Sequence, residues 1–496
     1  MNAESGAAKA GTGVPGLDDI LLGGFATGRI FLLEGSPGTG KTTMALRFLI
    51  EGAAACERGL YLTLSETAQE LHATATSHGW SLDGIDVFEV VPPESLLDSD
   101  QQQSLLYSSD LELGETTKLI FGAVQRVKPA RVVLDSLSEI RLLAQSSLRY
   151  RRQILALKHT LARQGVTVLL LDDLTTEAPD KTVHSIAHGV LRLEEMTPDY
   201  GAERRRLRVV KYRGQGFRGG YHDFIIRAGG AHVFPRLVAA EHRRKFVRAR
   251  MGTGIAALDK LLGGGVETGS STLLLGPAGA GKSLFTLQFV AEAIRRGGKA
   301  AMFIFDEELD LLFDRAKPLG FDLAALRESG RLQICQLDAA ELSPGEFANN
   351  VRSAAQDPEV RTVVIDSLNG YQAAMPQENS LILHMHELLQ FLNRQGVSTF
   401  LTVAQHGLMG EMKAPVDVTY LADAVILLRY FEASGSIRRA LSVIKKRTGA
   451  HEDTIREFWI DRGLRIGEPL VDFHGVLRGT PQLPGDRAPS RPAQGE

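Results

Sequence analysis

The order of apolar and polar positions predicts short buried strands that alternate with amphipathic helices. Four continuous apolar runs in the first half are typical of central parallel strands covered by helices on both faces, at residues 29–34, 60–64, 131–135 and 166–172. Helical spacing follows the first run and returns at about residues 66–78 and 151–164. The first half closes with the runs LRLEE, RRRLRVVKYR and YHDFIIR, which are typical of hairpin strands that extend the sheet. The pattern predicts an α/β fold.

The second half repeats this order, and both halves carry a glycine-rich segment between a predicted strand and a predicted helix. Residues 35–42 read GSPGTGKT and residues 276–283 read GPAGAGKS, 241 positions apart, and both fit the phosphate-loop pattern G-x-x-x-x-G-K-[ST]. The flanking residues match at the same offset, which indicates a duplicated domain. Backbone N–H groups of such a loop form a cradle for phosphate oxygens. The candidate nucleotide-binding residues are Gly35, Ser36, Pro37, Gly38, Thr39, Gly40, Lys41, Thr42 and Thr43, and Gly276, Pro277, Ala278, Gly279, Ala280, Gly281, Lys282, Ser283 and Leu284.

Further residues are suited to hold a triphosphate and its magnesium ion. Lys41 and Lys282 are expected to reach the β- and γ-phosphates, and the hydroxyls of Thr42 and Ser283 to ligate Mg²⁺. The runs RVVLDS and RTVVIDS end in aspartates, about 90 residues after each loop, where the other protein ligand of magnesium is expected. These aspartates could instead cap the next helix, but their paired context favours the metal role for Asp135 and Asp366. The sequence therefore predicts ATP and Mg²⁺ as cofactors.

The group that activates the attacking oxygen is expected where the strand after the loop helix ends. The second half has Asp306, Glu307 and Glu308 there, and the first half has Ser65 and Glu66. If the two repeats are aligned without a gap, Glu66 corresponds to Glu307. If the second turn has one extra residue, Ser65 corresponds to Glu307 and Glu66 to Glu308, and the first half has lost its base. The residues alone leave both alignments open.

Composition narrows the function by exclusion. Of 496 residues, 44% are hydrophobic and 23% charged, as in ordinary globular proteins, and a net charge of −3 argues against nucleic-acid partners. Cys56 and Cys335 are too few for a disulfide framework or a zinc knuckle. The N-terminus lacks a signal-peptide core and no apolar run is long enough to span a bilayer. We expect a cytoplasmic protein without a membrane partner.

The repeat also predicts domain boundaries. We expect a flexible N-terminus at residues 1–11, ATPase domains at 12–240 and 252–468, a linker at 241–251 and a disordered tail at 469–496. The linker is basic, and because the net charge is negative we expect a solvated connection or a contact between the halves rather than nucleic-acid binding.

Together these features resemble the KaiC family of tandem RecA-like ATPases. The resemblance covers residues 12–467 and rests on the tandem loops, their lead-ins GVPGLDDILLGG and GIAALDKLLGGG, the acidic residues after the second strand, and a Lys-x-Arg near the end of each half. It implies two tandem RecA-like P-loop domains, each a mainly parallel sheet with helices on both faces and an antiparallel extension. It also implies a homohexameric, double-layered ring with ATP between neighbouring subunits.

The resemblance further implies a role for individual residues. The first acidic residue of the pair acts as general base, which falls on Glu307, followed by Glu308. Ser65 then stands at the matching position in the first half, where strong hydrolysis is in doubt unless Glu66 compensates. Cations that stabilise the phosphoryl group of a neighbouring subunit fall on Lys211 and Arg213 in VVKYRG, and on Lys445 and Arg447 in VIKKRTG.

An adjacent Ser-Thr pair that such proteins autophosphorylate falls on Thr419 and Tyr420, which makes Thr419 the candidate phosphosite; an ordinary cap or turn role for Thr419 is equally open. We therefore expect an ATPase and Ser/Thr autokinase that serves as a ring-shaped timing or signalling switch, with signalling partners that bind its C-terminal tail. The alternatives are a RecA-like DNA-dependent ATPase and a non-catalytic signalling scaffold that ATP assembles.

Overall fold

The structure is a computed structural model that describes residues 8–90, 105–174, 182–198, 201–375, 378–405, 407, 418–433 and 435–478. The chain divides into two compact units, Met1–Arg236 and Leu237–Glu496, named lobe 1 and lobe 2 here. Within the expected tail, residues 469–478 are described, and the prediction of disorder for residues 479–496 lies outside the described residues. No helix in the described ranges is long and apolar enough to cross a membrane.

Lobe 1 is built on a nine-stranded sheet in the order β11-β10-β9-β8-β3-β7-β6-β4-β5. The strands from β8 to β5 are parallel, and β9 to β11 add an antiparallel extension. The strands are β1 Lys9–Ala10, β2 Phe25–Ala26, β3 Ile30–Gly35, β4 Gly59–Thr63, β5 Ile85–Glu89, β6 Arg131–Asp135, β7 Thr167–Asp173, β8 Gly189–Met196, β9 Arg204–Tyr212, β10 His222–Arg227 and β11 Gly230–Phe234. The helices are α1 Leu17–Ile20, α2 Lys41–Ala54, α3 Ala68–Ser77, α4 Leu105–Val127, α5 Leu137–Ala144, α6 Ser147–Arg163 and α7 Thr182–Ile186.

Lobe 2 repeats this plan, with the sheet order β16-β15-β17-β18-β14-β19-β20-β21-β22. Its strands are β12 Arg250–Met251, β13 Val266–Glu267, β14 Ser271–Gly276, β15 Lys299–Ile304, β16 Leu332–Gln336, β17 Val360–Asp366, β18 Ser398–Ala404, β19 Ala424–Ala433, β20 Ser436–Lys446, β21 Arg456–Ile460 and β22 Leu464–Pro469. Its helices are α8 Ala256–Leu261, α9 Lys282–Arg295, α10 Leu309–Ala316, α11 Leu323–Glu328, α12 Pro344–Gln356, α13 Leu368–Ala374 and α14 Glu378–Gln395.

Each sheet has an apolar core on both faces, because successive strand residues point to opposite sides. In β3, Phe31 and Leu33 pack into the cluster that includes the apolar face of α2, whereas Ile30 and Leu32 pack into the cluster of α5 and α6. This two-sided burial explains why the central strands are continuous apolar runs. The predicted fold class, two tandem RecA-like α/β domains with an antiparallel extension, is confirmed.

The basic stretch after residue 240 packs against lobe 2. The backbone N–H of Arg244 donates to the carbonyl of Arg394 at 3.1 Å. The Phe246 ring lies so close to Gly269 and Gly396 that a Cβ on either glycine would come within 2.7 Å of it. This stretch therefore belongs to the surface of lobe 2.

Candidate active site

Both phosphate loops lie between a central strand and a helix, β3 and α2 in lobe 1, β14 and α9 in lobe 2. Gly40 and Gly281, the residues before the helices, have left-handed φ values of 95° and 104°. A Cβ on Gly40 would also come within 2.4 Å of the Ile226 side chain. Neither helix has a side-chain cap, so its first N–H groups are available to an anion.

The loop lysines point back over their loops. Lys41 Nζ donates to the carbonyls of Gly35 and Ser36 at 2.8 and 2.9 Å. Lys282 Nζ donates to the carbonyls of Gly276 and Pro277 at 3.0 and 2.8 Å. The two ammonium groups thus lie at equivalent points, where each can contact a phosphate held by the loop.

A cavity of about 240 Å³ lies over the start of α9. Leu284, a predicted binding residue, is buried and lines this cavity. Thr43, its counterpart in lobe 1, is also buried. The cavity is lined by Gly279, Gly281, Lys282, Ser283, Leu284, Leu287, Arg315, Ala316, Leu319 and Ile460.

Each strand-end aspartate accepts a hydrogen bond from one hydroxyl. The hydroxyl comes from the strand on one side of the aspartate's strand in lobe 1 and from the strand on the other side in lobe 2. The Tyr61 hydroxyl on β4 donates to Asp135 Oδ2 at 2.6 Å. In lobe 2 the Thr402 hydroxyl on β18 donates to Asp366 Oδ1 at 2.5 Å. The strand registers place Met302 at the position of Tyr61, and Leu171 at the position of Thr402. Each lobe therefore orients this carboxylate with one hydroxyl, but not with the same one.

The residues around these aspartates fit a magnesium ion. A carboxylate and a hydroxyl are oxygen ligands of the kind Mg²⁺ takes while it keeps several waters. Asp135 is 6% exposed, and its burial raises the pKa of the carboxyl while the Tyr61 hydrogen bond opposes that rise.

Backbone hydrogen bonds fix how the acidic residues of the two lobes correspond. Leu64 N donates to the Asp135 carbonyl at 2.7 Å, and Phe305 N donates to the Asp366 carbonyl at 2.8 Å. Leu64 and Phe305 are therefore equivalent, and the alignment has no gap. Ser65 is therefore the counterpart of Asp306, and Glu66 is the counterpart of Glu307. The expected pairing of Ser65 with Glu307 is wrong.

The carboxylates at the Glu66 and Glu307 position lie near the phosphate-binding groups of their own lobes. Burial raises the pKa of Glu66, and the charges of Asp135, Glu70 and Asp173 add to the rise. Burial also raises the pKa of Glu307, although Arg315, whose Nη2 lies 2.8 Å from Glu307 Oε2, opposes the rise. A raised pKa brings a carboxylate closer to the value that a general base needs at neutral pH.

Asp306 and Glu308 flank Glu307 in different surroundings. Asp306 accepts a hydrogen bond from the hydroxyl of Ser367, the residue after the strand-end aspartate. Glu308 is the N-cap residue of α10, the place that Thr67 takes before α3. A cavity of about 580 Å³ opens in front of all three and is lined by Phe305, Asp306, Glu307, Glu308, Gln336, Leu337 and Asp338.

The Lys-x-Arg pairs donate hydrogen bonds to two successive carbonyls of the segment before β8 or β19, which is helix α7 in lobe 1 and a turn in lobe 2. Lys445 Nζ donates to the Thr419 carbonyl at 2.9 Å, and Arg447 Nη2 to the Tyr420 carbonyl at 2.5 Å. In lobe 1, Lys211 donates to the carbonyl of His184 and Arg213 to that of Ser185. His184 thus occupies the position of Thr419 in lobe 1, and its imidazole lies 2.7 Å from buried Glu34.

The comparison with known proteins decides the family. The model described as "ATPase: KaiC" matches residues 10–238 and 251–470. The chain belongs to the KaiC ATPase family. It is 28% identical to "Circadian clock protein KaiC3" of Synechocystis sp., with 96% of this chain and 95% of that protein aligned. It is 29% identical to "Circadian clock oscillator protein KaiC" of Thermostichus vulcanus over 95% and 92% of the two chains, and 28% identical to its namesake of Synechococcus elongatus over 96% and 92%.

In this KaiC-family chain, three contacts of the site involve residues that only one lobe has, so the motifs that both lobes share do not predict them. Tyr61 and Thr402 each orient the aspartate of one lobe. Asp173, at the end of β7, forms a 2.7 Å ion pair with Lys41. A position-by-position comparison of the two repeats would have marked all three, since the other copy has methionine, leucine and alanine there.

Proposed function

We propose that this KaiC-family ATPase binds Mg²⁺·ATP in both lobes, assembles as a homohexameric ring with ATP between subunits, and autophosphorylates Thr419, so that it acts as a timing or signalling switch. The observation that carries the proposal is the duplicated loop with an uncapped helix N-terminus, followed by a strand-end aspartate and a carboxylate. These are the parts that phosphoryl transfer needs: a phosphate cradle, a metal ligand and a base.

Several features support different roles for the lobes. Lobe 2 has both Asp306 and Glu307, and the base is proposed to lie in this pair, whereas lobe 1 retains only Glu66. Lobe 2 has a threonine, Thr419, where lobe 1 has His184, which carries no hydroxyl, although lobe 1 has Ser185 at the next position. Lobe 2 is therefore proposed to carry most of the hydrolysis and the autokinase activity, and lobe 1 mainly to hold ATP.

Removing either loop lysine tests the nucleotide sites. We expect Lys282→Ala to lower ATP turnover by roughly 10²–10³-fold in lobe 2, because a preorganised cation is lost from the developing phosphate charge. Lys41→Ala should reduce the nucleotide bound per chain and the oligomer mass seen by native mass spectrometry, with a smaller effect on turnover. The matched control is Lys260→Ala, since that side chain is 72% exposed on α8. Full turnover in both loop variants would mean that the sites are misassigned.

Phosphate transfer to the protein is measured separately. After incubation with ATP labelled at the γ-phosphate, we expect label on wild type and on Thr419→Ser, and its loss in Thr419→Ala. Tyr420→Phe serves as the neighbouring control, because it removes the other hydroxyl of the turn. An unlabelled wild type would eliminate the autokinase activity and leave the ATPase. Label retained in Thr419→Ala would place the acceptor elsewhere.

A further inference from the structure

In lobe 1 the loop lysine is held by a carboxylate that lobe 2 does not have. Lys41 is 6% exposed, and its Nζ has three acceptors: the carbonyls of Gly35 and Ser36 and, at 2.7 Å, Asp173 Oδ1. An ammonium group has three hydrogens, so these contacts use its full donor capacity. The other oxygen of Asp173 accepts a hydrogen bond from Ser138 Oγ at 3.2 Å, which fixes the carboxylate in place.

The same position in lobe 2 carries only a methyl group. The register pairs Gly35 with Asp173 and Gly276 with Ala404. Asn369, at the position of Ser138, bonds to the backbone N–H and carbonyl of Ala404. Among the described carboxylates, none forms an ion pair with Lys282, which has two carbonyl acceptors there. The two lobes thus differ in one acceptor on an otherwise equivalent lysine.

We propose that Asp173 sets the nucleotide affinity of lobe 1 by competing with the ATP phosphates for Lys41. This inference rests on the proposed function, in which Lys41 binds the β- and γ-phosphates. A phosphate can take that place only if Lys41 leaves Asp173, and the carboxylate then stands beside the phosphates without its cation. Both changes disfavour the bound state in a partly buried site, where charges are weakly screened.

A neighbouring carboxylate strengthens the effect. Glu66 stands close enough for the charge of Asp173 to raise its pKa, and Lys41 opposes that rise. When a triphosphate draws Lys41 away, Asp173 and Glu66 lose part of their neutralisation. Removing the Asp173 carboxylate is therefore expected to tighten nucleotide binding to lobe 1.

The test measures nucleotide affinity one lobe at a time. In a Lys282→Ala background, a fluorescent ATP analogue is titrated with Mg²⁺ present, and Asp173→Ala is expected to lower the dissociation constant of lobe 1 by roughly tenfold or more. Asp173→Glu, which keeps the carboxylate, should stay near the starting value. A merely structural role for Asp173 would not produce tighter binding when it is removed. Unchanged or weaker binding in Asp173→Ala would overturn the proposal.

A double-mutant cycle and a transplant complete the test. The gain from Asp173→Ala should shrink when Lys41 is also replaced by alanine; an equal gain would mean direct repulsion of phosphate rather than competition for Lys41. In a Lys41→Ala background, Ala404→Asp should weaken binding to lobe 2, and no weakening would count against the proposal. If the Lys41→Ala, Lys282→Ala chain binds the analogue like wild type, the nucleotide sites themselves are misassigned, which is a separate failure.

Discussion

Replacing both Asp306 and Glu307 by their amides is expected to lower ATP turnover in lobe 2 by roughly 10²–10⁴-fold, the range that loss of a general base produces. The two carboxylates follow β15, beside the strand-end aspartate of β17. An amide keeps the size of each side chain but cannot accept the proton of the attacking oxygen. Binding of Mg²⁺·ATP should change little, because the loop and Lys282 remain.

The single variants identify which carboxylate acts. Turnover is measured for Asp306→Asn and Glu307→Gln separately, in a Glu66→Gln background, which removes the corresponding carboxylate of lobe 1 while Lys41 remains to bind nucleotide. Glu328→Gln at the exposed end of α11 is the matched control. If Glu307 is the base, its raised pKa should shift the acidic limb of the pH profile to higher pH than an unperturbed glutamate would give, with activity rising as Glu307 deprotonates. Normal turnover in the double variant would exclude both residues.

The features that could be predicted from the sequence are those that depend on residues close together in the chain. Loops between a buried strand and a helix, and aspartates at strand ends, follow from apolar runs and glycine positions near each other in the chain, and the sheet confirms the predicted layout. The correspondence of Ser65 with Asp306 could not be predicted, because one residue more or less in a turn leaves the pattern unchanged. Only the hydrogen bonds from Leu64 and Phe305 to the neighbouring strand fix it.

Side-chain contacts between strands that are far apart in the chain also could not be predicted from the sequence. Tyr61 looks like an ordinary core aromatic until β4 pairs with β6 and brings its hydroxyl to Asp135. Asp173 looks like the end of an apolar run until β7 pairs with β3 and places it beside Lys41. Motif patterns describe residues that both repeats share, whereas these contacts distinguish one repeat from the other.

The Lys-x-Arg pair of lobe 2 is expected to act on the phosphates of a neighbouring subunit, so that Lys445→Ala, Arg447→Ala should lower lobe 2 turnover by roughly 10³–10⁵-fold, as loss of an arginine finger does. In the single chain, both side chains are held at the end of β20 by carbonyls of the turn before β19. These contacts fix where the two cations stand, and Arg447 Nη1 also lies 3.5 Å from Asp423 Oδ1. An anion across a subunit boundary is therefore expected to compete with Asp423 for Arg447.

Mixing two inactive variants separates action within a subunit from action between subunits. Lys282→Ala chains retain the Lys-x-Arg pair, and Lys445→Ala, Arg447→Ala chains retain the phosphate loop. In a ring assembled from an equal mixture, about a quarter of the interfaces combine an intact loop with an intact pair from the neighbour. Turnover of the mixture should therefore exceed the mean turnover of the two parent variants. Lobe 1 is unchanged in both variants, so its turnover is the same in each parent and does not affect this comparison. If the pair acted within its own subunit, every chain would lack one component, and mixing would restore nothing.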